Sequence, residues 1–150
     1  MDAVSRSPVE GVRLRAFGFD EDWQAVHALW ARCGPGVQFS RSDEPAEILK
    51  KLRRDPDLFL VAEQDDKIVG AVMGGYDGRR GLVYHLAVAP EVRRLGIGKA
   101  LMDEVEARLR EKGCLKSYLL VTKDNAEVLS FYRELGWEVM DMHLMGKVLG

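Results

Sequence analysis

Runs of apolar residues predict the strands of this chain. Residues 12–17 alternate apolar and basic side chains, which is typical of a half-exposed strand. Three β-rich runs follow at residues 58–62, 68–76 and 82–88, and the short turns that join them predict an antiparallel meander. A last apolar run at residues 116–122 is reached through a helix, which predicts a strand parallel to the strand 82–88.

Apolar residues that recur every three or four positions predict four helices. The first follows Asp20, a candidate N-cap, and the second begins near Pro45. The third covers residues 98–112, and the fourth covers about residues 126–135.

The two ends of the chain differ in pattern. Residues 1–11 are expected to form a polar, flexible tail, whereas residues 137–149 predict two short strands or one bent hairpin. No linker or internal repeat interrupts the pattern. The order of strands and helices predicts one domain of mixed α/β class over residues 1–150.

Composition and charge narrow the function classes. There are 22 Lys plus Arg against 24 Asp plus Glu, so the basic surplus that nucleic-acid binding requires is missing. Cys33 and Cys114 belong to no CxxC or Cys/His cluster, so neither a metal site nor a disulfide is expected. The first ten residues lack the apolar run of a signal peptide, and no run approaches the ~18 apolar residues of a membrane span. We therefore expect a cytoplasmic protein with no membrane partner.

The segment EVRRLGIGKAL, residues 91–101, contains two glycines that could serve a nucleotide motif. A GxGxxG fingerprint that starts at Gly96 needs a glycine where the chain has Leu101. A P-loop ending in this segment needs a glycine where the chain has Arg93 and a hydroxyl where it has Ala100. Both nucleotide motifs therefore fail.

Two interpretations of this segment remain. A helix N-terminus offers unpaired N–H groups and a partial positive charge, so the backbone beside Gly96 and Gly98 can bind a phosphate. Arg93, Arg94 and Lys99 would add positive charge to such a site. Alternatively, the glycines only shape a tight turn and the basic side chains are solvated, and the glycine pattern alone does not choose between the two.

A second motif supports the first interpretation. The pattern R-x-x-G-x-G at residues 93–98 is followed by Asn125, by Tyr132 seven residues later, and then by the pair Gly136 and Trp137. Together these residues resemble the GNAT superfamily of N-acetyltransferases. The resemblance implies the GNAT fold, in which a twisted, mostly antiparallel central sheet contains a splayed parallel strand pair and is flanked by about four helices.

The resemblance also implies acetyl-CoA as the acetyl donor, with no metal. The pantetheine arm would lie in the V between the strands 82–88 and 116–122, and N–H groups of the turn would hold the pyrophosphate. The implied acetyl-CoA-binding residues are Leu86, Ala87, Val88, Arg93, Arg94, Leu95, Gly96, Ile97, Gly98, Lys99, Ala100, Asn125 and Tyr132.

The implied reaction is direct attack of an amine on the thioester in a ternary complex. Tyr132 would be the acid that gives a proton to the departing thiolate. The alternative for Tyr132 is a structural role, as a core tyrosine packed with Phe131 and Trp137.

The residues at the positions where the family usually carries its general base are unusual in this chain. Family members often place a glutamate or histidine at positions that correspond here to Leu82, Tyr84 or Leu120. Tyr84 is thus the second predicted catalytic residue, as a link in a water relay, because a free phenol has a pKa of about 10. His85 should point to the opposite face of the sheet, where it would be a hydrogen-bonded core residue, and it is the alternative base only if the strand bulges.

The acceptor is expected to be a primary amine of a small molecule or a peptide N-terminus. In this family the acceptor is recognised largely by two segments, which correspond to residues 33–45 and 140–146 here. The first contains Arg41, Asp43 and Glu44, which could attract a cationic amine or simply be solvated loop residues. Two further alternatives stay open: a catalytically weak module that binds acyl-CoA as a sensor, and a homodimer formed through an apolar last strand.

Overall fold

The computed structural model describes residues 5–34 and 37–150. Within these ranges the strands are β1 Ser5–Arg6, β2 Val12–Ala16, β3 Phe59–Gln64, β4 Lys67–Tyr76, β5 Gly81–Val88 and β6 Ser117–Leu119. The α-helices of the same ranges are α1 Phe19–Arg32, α2 Pro45–Arg54, α3 Ile97–Glu111 and α4 Leu129–Glu134. Short 3₁₀ turns lie at Arg41–Asp43, Pro90–Val92 and Lys123–Val128.

The strands form one mixed sheet in chain order, β1 to β6. Each pair from β1 to β5 is antiparallel, and β6 is parallel to β5 because α3 carries the chain back across the sheet. The predicted fold class, a mostly antiparallel sheet with one parallel pair and about four helices, is confirmed. The pairing of β1 with β2, through Ser5 opposite Leu14, adds a strand that the sequence pattern did not predict.

Helices cover both faces of this sheet. On one face, Gly74 of β4 lies against α3, where a Cβ atom at this position would come within 2.7 Å of Val105 Cγ2. On the other face, the ring of Phe59 stacks on Phe17 at a centroid distance of 4.1 Å, and Trp30 of α1 packs against it at 6.1 Å. The missing side chain in β4 therefore lets α3 approach the backbone of the sheet closely. No helix in the described ranges is long and apolar enough to cross a membrane.

The start of α1 differs from the sequence prediction. The N-cap is Gly18, not Asp20, and the backbone N–H of Gly18 donates to the carboxylate of Asp22 at 2.8 Å. Asp22 also accepts two hydrogen bonds from the guanidinium of Arg15 on β2, at 2.6 and 2.8 Å. The prediction of Asp20 as the cap was wrong because this buried ion pair, rather than local sequence, fixes where the helix begins.

We expect Asp22→Asn to lower the free energy of unfolding at pH 7 by about 2 kcal/mol, since it removes the buried carboxylate that pairs with Arg15 and leaves Glu63 as the remaining carboxylate beside that guanidinium. Burial raises the pKa of Asp22, but the hydrogen bonds from Arg15 and Gly18 outweigh it and hold the pKa below its usual range. The stabilisation is therefore present above the unfolded value of about 3.9 and is lost as the pH falls through the lower folded value.

Urea unfolding of the parent and Asp22→Asn at pH 7 and pH 3 measures this difference. The matched control is Asp20→Asn, which removes an exposed carboxylate from the same helical turn and should change stability by less than about 0.5 kcal/mol. Equal losses in the two variants would contradict the assignment.

The C-terminal part of the chain departs most from prediction. Residues 137–149 contain no strand, so the predicted hairpin is wrong, and side chains such as Met142 and Leu144 are exposed. The physical reason lies in β6, which ends at Leu119 instead of residue 122 and so offers too short an edge for a further strand. The apolar last strand, through which a homodimer could have formed, is therefore absent from residues 137–149.

Candidate active site

A cavity of about 280 Å³ opens where β5 and β6 diverge. The two strands pair at residues 81–83 and 117–119, and beyond these the described chain places no strand on that edge of β5. The cavity is lined by Gln38, Leu82, Val83, Tyr84, His85, Leu86, Leu119, Leu120, Val121, Thr122, Asn125, Val128 and Tyr132. An extended ligand that enters here would therefore meet backbone groups of β5 that have no strand partner.

One extra residue in β5 changes the direction of the side chains at the cavity. Val72 of β4 lies opposite two residues of β5, His85 and Leu86, and His85 has a φ of +52°. This β-bulge interrupts the alternation of faces. The rings of His85 and Tyr84 are 5.5 Å apart, and the His85 ring lies 5.1 Å from Trp30 on the face that α1 covers. The prediction that His85 points to the opposite face from Tyr84 was therefore wrong.

Asp43 holds the imidazole of His85. Its Oδ1 lies 2.9 Å from His85 Nε2, and its Oδ2 accepts the backbone N–H of Ser40 at 3.0 Å. The Asp43 side chain is only 6% exposed. Burial raises the pKa of Asp43, but the hydrogen bonds from His85 and Ser40 outweigh it and keep the pKa below its usual range. The carboxylate is therefore ionised near neutral pH.

Two buried phenols line the cavity. Burial raises the pKa of Tyr132 to about 12. Burial, followed by the negative charges of Asp43 and Asp55, raises the pKa of Tyr84 to about 12. Both hydroxyls keep their protons at neutral pH, which suits a proton donor and disfavours Tyr84 as a base acting alone. The catalytic roles of the two tyrosines stay predictions.

The turn between β5 and α3 has the backbone geometry of an anion site. Arg94 and Gly96 have positive φ values of 71° and 90°, and Gly96 is the N-cap of α3. The first intrahelical hydrogen bond runs from the N–H of Ala100 to the carbonyl of Gly96 at 3.0 Å. The N–H groups of residues 97–99 thus have no acceptor within the helix, and they carry the positive end of its dipole.

Several side chains of this turn are buried or engaged within the protein. Ile97 and Ala100 are buried in the core, so only their backbone groups can reach a ligand. Lys99 pairs with Asp103 at 2.5 Å, and Arg93 donates from Nε to the carbonyl of Val88 at 3.1 Å. Lys99 and Arg93 therefore already have partners within the protein.

The structure brings together part of the predicted site. Tyr84, Leu86, Asn125 and Tyr132 line the cavity, whereas the turn at residues 93–100 adjoins it without lining it. Gly98 lies close to residues that neighbour the lining in sequence, because a Cβ atom there would lie 3.3 Å from Cζ of Phe131, next to Tyr132, and 3.6 Å from Val88 Cγ2. The predicted binding residues Ala87 and Val88 do not line the cavity, and Ala87 is buried.

Sequence reasoning missed several lining residues and the partner of His85. Gln38, Thr122 and Val128 carry no motif that singles them out. Asp43 did carry a signal, since S-x-x-D at residues 40–43 is a capping box. That signal predicts the local turn but not the contact with His85, which lies 42 residues further along the chain.

The loop at residues 33–45, which could attract a cationic acceptor or simply be solvated, is not a cluster of free carboxylates. Asp43 is buried and bound to His85, and Arg41 donates to the backbone carbonyl of Gly150 at 3.0 Å. Glu44, the N-cap of α2, is exposed. Among the residues that the structure describes, no group of three or more His, Cys, Asp or Glu side chains could hold a metal ion.

Comparison with known proteins agrees with the class that the fold and cavity indicate. Residues 23–137 match the model of the acetyltransferase (GNAT) family. The chain therefore belongs to the GNAT acetyltransferase family, and the sequence-based recognition of that family is confirmed.

One relative by sequence and two solved structures show how similar this chain is to known acetyltransferases. A protein described as an acetyltransferase from Pectobacterium atrosepticum is 44% identical over 138 residues, which cover 92% of this chain and 96% of the relative. Ard1 from Thermoplasma volcanium is 26% identical, with a TM-score of 0.71 over 87% of this chain and 84% of its own. PaiA N-acetyltransferase from Thermoplasma acidophilum, solved with coenzyme A, has a TM-score of 0.73 at 21% identity, over 88% of this chain and 92% of its own.

Proposed function

We propose that this protein transfers the acetyl group of acetyl-CoA to a primary amine of a small molecule or a peptide N-terminus. The observation that carries the proposal is the opening between β5 and β6 next to the N-terminus of α3. The family assignment supports acetyl transfer, and the PaiA fold neighbour that was solved with coenzyme A supports the donor. N-acetyl specificity belongs to this proposal and rests on the match to the family's motifs.

The residues around the cavity suit acetyl-CoA. The donor has an extended, amide-containing arm and a pyrophosphate, and the cavity edge of β5 offers backbone groups without a strand partner. The N–H groups at residues 97–99 would bind the pyrophosphate, with Gly98 letting it approach closely. Asn125, whose φ of −116° interrupts the 3₁₀ turn, lines the cavity from the opposite side and would donate to the arm.

Within this proposal the chain supplies proton transfer and orientation. Acetyl-CoA, when bound, supplies the acetyl thioester. Tyr132 would protonate the departing sulfur, since its buried phenol is still protonated at neutral pH. Tyr84 would act as a neutral hydroxyl that relays protons through water, in keeping with its raised pKa of about 12.

An acetyl-CoA consumption screen tests the proposal. Release of free CoA thiol is followed with polyamines, aminoglycosides, amino acids and N-terminal peptides as acceptors, and mass spectrometry then locates the acetyl group. The expected result is an N-acetylated product with at least one acceptor class. Thermal stabilisation by acetyl-CoA without turnover of any acceptor would instead favour an acyl-CoA-binding module.

Arg93→Ala should weaken acetyl-CoA binding only about 3- to 10-fold, because the side chain is exposed and salt screens its charge. Calorimetric titration with acetyl-CoA measures the change. Arg79→Ala, in the turn between β4 and β5, removes an equal charge far from the site and serves as the control. A loss of binding beyond detection in Arg93→Ala would show that the side chain, rather than the backbone, dominates the anion site.

A further inference from the structure

The imidazole of His85 is held in one orientation on the face of β5 that carries Tyr84. The β-bulge turns His85 to that face, and Asp43 fixes its Nε2 at 2.9 Å. The ring also packs edge-on against Trp30, with an interplanar angle of 70°. The side chain is 16% exposed, and the residue lines the cavity between β5 and β6.

This arrangement determines which ring nitrogen can act as a base. An ionised carboxylate only accepts hydrogen bonds, so Nε2 must carry the hydrogen that it shares with Asp43. Nδ1 then keeps its lone pair, and no described residue donates to it or accepts from it. Among the described residues whose rings contact this imidazole, Tyr84 has a protonated phenol and Trp30 does not titrate.

We propose that His85 is the general base of the acetyl transfer and that Asp43 is its positioning residue. This inference rests on the proposed function. The nitrogen of the acceptor forms the new C–N bond as the C–S bond breaks, and the proton from nitrogen passes to His85 Nδ1. The departing sulfur takes its proton from Tyr132. Exchange with water then removes the proton from His85 and restores the one on Tyr132.

Asp43 also links the base to the loop that precedes α2. The carboxylate is part of the capping box at residues 40–43, so the turn that orders this loop is the one that orients the imidazole. Gln38, a few residues earlier in the same loop, lines the cavity as well. An acceptor bound against this loop would therefore lie beside His85.

The first variant is His85→Asn, because asparagine tolerates the positive φ of this position better than most residues other than glycine. In the parent we expect slow hydrolysis of acetyl-CoA by water and faster transfer to an amine from the acceptor screen. His85→Asn should lower kcat of both reactions by about 100-fold or more, with the KM for acetyl-CoA within about 3-fold. His27→Gln, which changes an exposed histidine of α1 outside the cavity, is the matched control and should behave as the parent.

The second readout does not depend on turnover. Long-range proton–nitrogen NMR of ¹⁵N-labelled protein reports the tautomer of each histidine, and comparison with His85→Asn assigns the signal of His85. The parent should show the Nε2–H tautomer, and Asp43→Asn should shift the tautomer balance and lower kcat by about 10-fold or more while acetyl-CoA still stabilises the fold.

The outcomes separate this inference from the function on which it rests. If the parent turns over acetyl-CoA and His85→Asn does so within about 3-fold of it, the base assignment is wrong while the function stands. An Nδ1–H tautomer in the parent would overturn the assignment as well. A parent that transfers acetyl to no amine and hydrolyses no acetyl-CoA would overturn the proposed function, and the catalytic role of the pair with it.

Discussion

Gly98→Glu is expected to weaken acetyl-CoA binding by at least about 100-fold, or roughly 2.8 kcal/mol. A Cβ atom at Gly98 would already lie 3.3 Å from the ring of Phe131 and 3.6 Å from Val88, so a longer side chain would crowd the start of α3. It would also place a negative charge where the proposed site binds a pyrophosphate. Calorimetric titration with acetyl-CoA gives the dissociation constants.

Two further substitutions at Gly98 separate size from charge. Gly98→Ala requires Phe131 to shift by a few tenths of an ångström and should cost little affinity. Gly98→Gln has the size of glutamate without its charge, so it should lie between the other two. Thermal unfolding without ligand shows whether each variant is folded. If folded Gly98→Glu binds acetyl-CoA as the parent does, the pyrophosphate site lies elsewhere.

Tyr132→Phe is expected to lower kcat by about 100-fold or more while acetyl-CoA affinity changes by less than about 3-fold. The substitution removes a hydroxyl that stays protonated at neutral pH and lines the cavity, but it keeps the ring that packs 5.1 Å from Phe131. Steady-state kinetics with the best acceptor gives kcat, and calorimetry gives the affinity.

Tyr76→Phe is the matched control for this substitution. The hydroxyl of Tyr76 donates to the carbonyl of Gly78 at 3.0 Å, outside the cavity, so its loss should leave kcat unchanged. An equal fall of kcat and acetyl-CoA affinity in Tyr132→Phe would point to the structural role of a packed tyrosine. Unchanged kcat would remove Tyr132 from the reaction altogether.

Elements whose apolar pattern is strong were predicted well. The meander from β3 to β5 and the helices α2 and α3 lie within one or two residues of their predicted bounds, because each buries a continuous run or a regular stripe. The start of α1 was predicted less well, since a long-range ion pair between Asp22 and Arg15 decides it. β6 falls short of its prediction: it ends at Leu119, and Leu120, the next apolar residue, is 54% exposed and lines the cavity.

In the candidate site, too, the features set by local sequence were predicted and those set by long-range contacts were not. The turn that contains Gly96 and Gly98 is local, so its sequence predicted its place at the start of α3. The contact between Asp43 and His85 is not local, and it depends on a β-bulge whose position follows from the pairing of β5 with β4. Strict alternation along a strand, the assumption used for His85, holds only while the ladder is regular.

The β-bulge also makes the two halves of β5 out of phase with each other. Between Gly81 and the bulge, odd-numbered residues such as Val83 lie on the same face of the sheet as Gly74. Between the bulge and the end of the strand, the even-numbered residue Val88 instead pairs with Gly70. Deleting Leu86 would make the side chains alternate regularly along the whole of β5 and would turn His85 away from Asp43. The sequence would still contain both residues of the His85–Asp43 pair. In this family, therefore, an alignment that places one gap within this strand changes which residue is compared with His85.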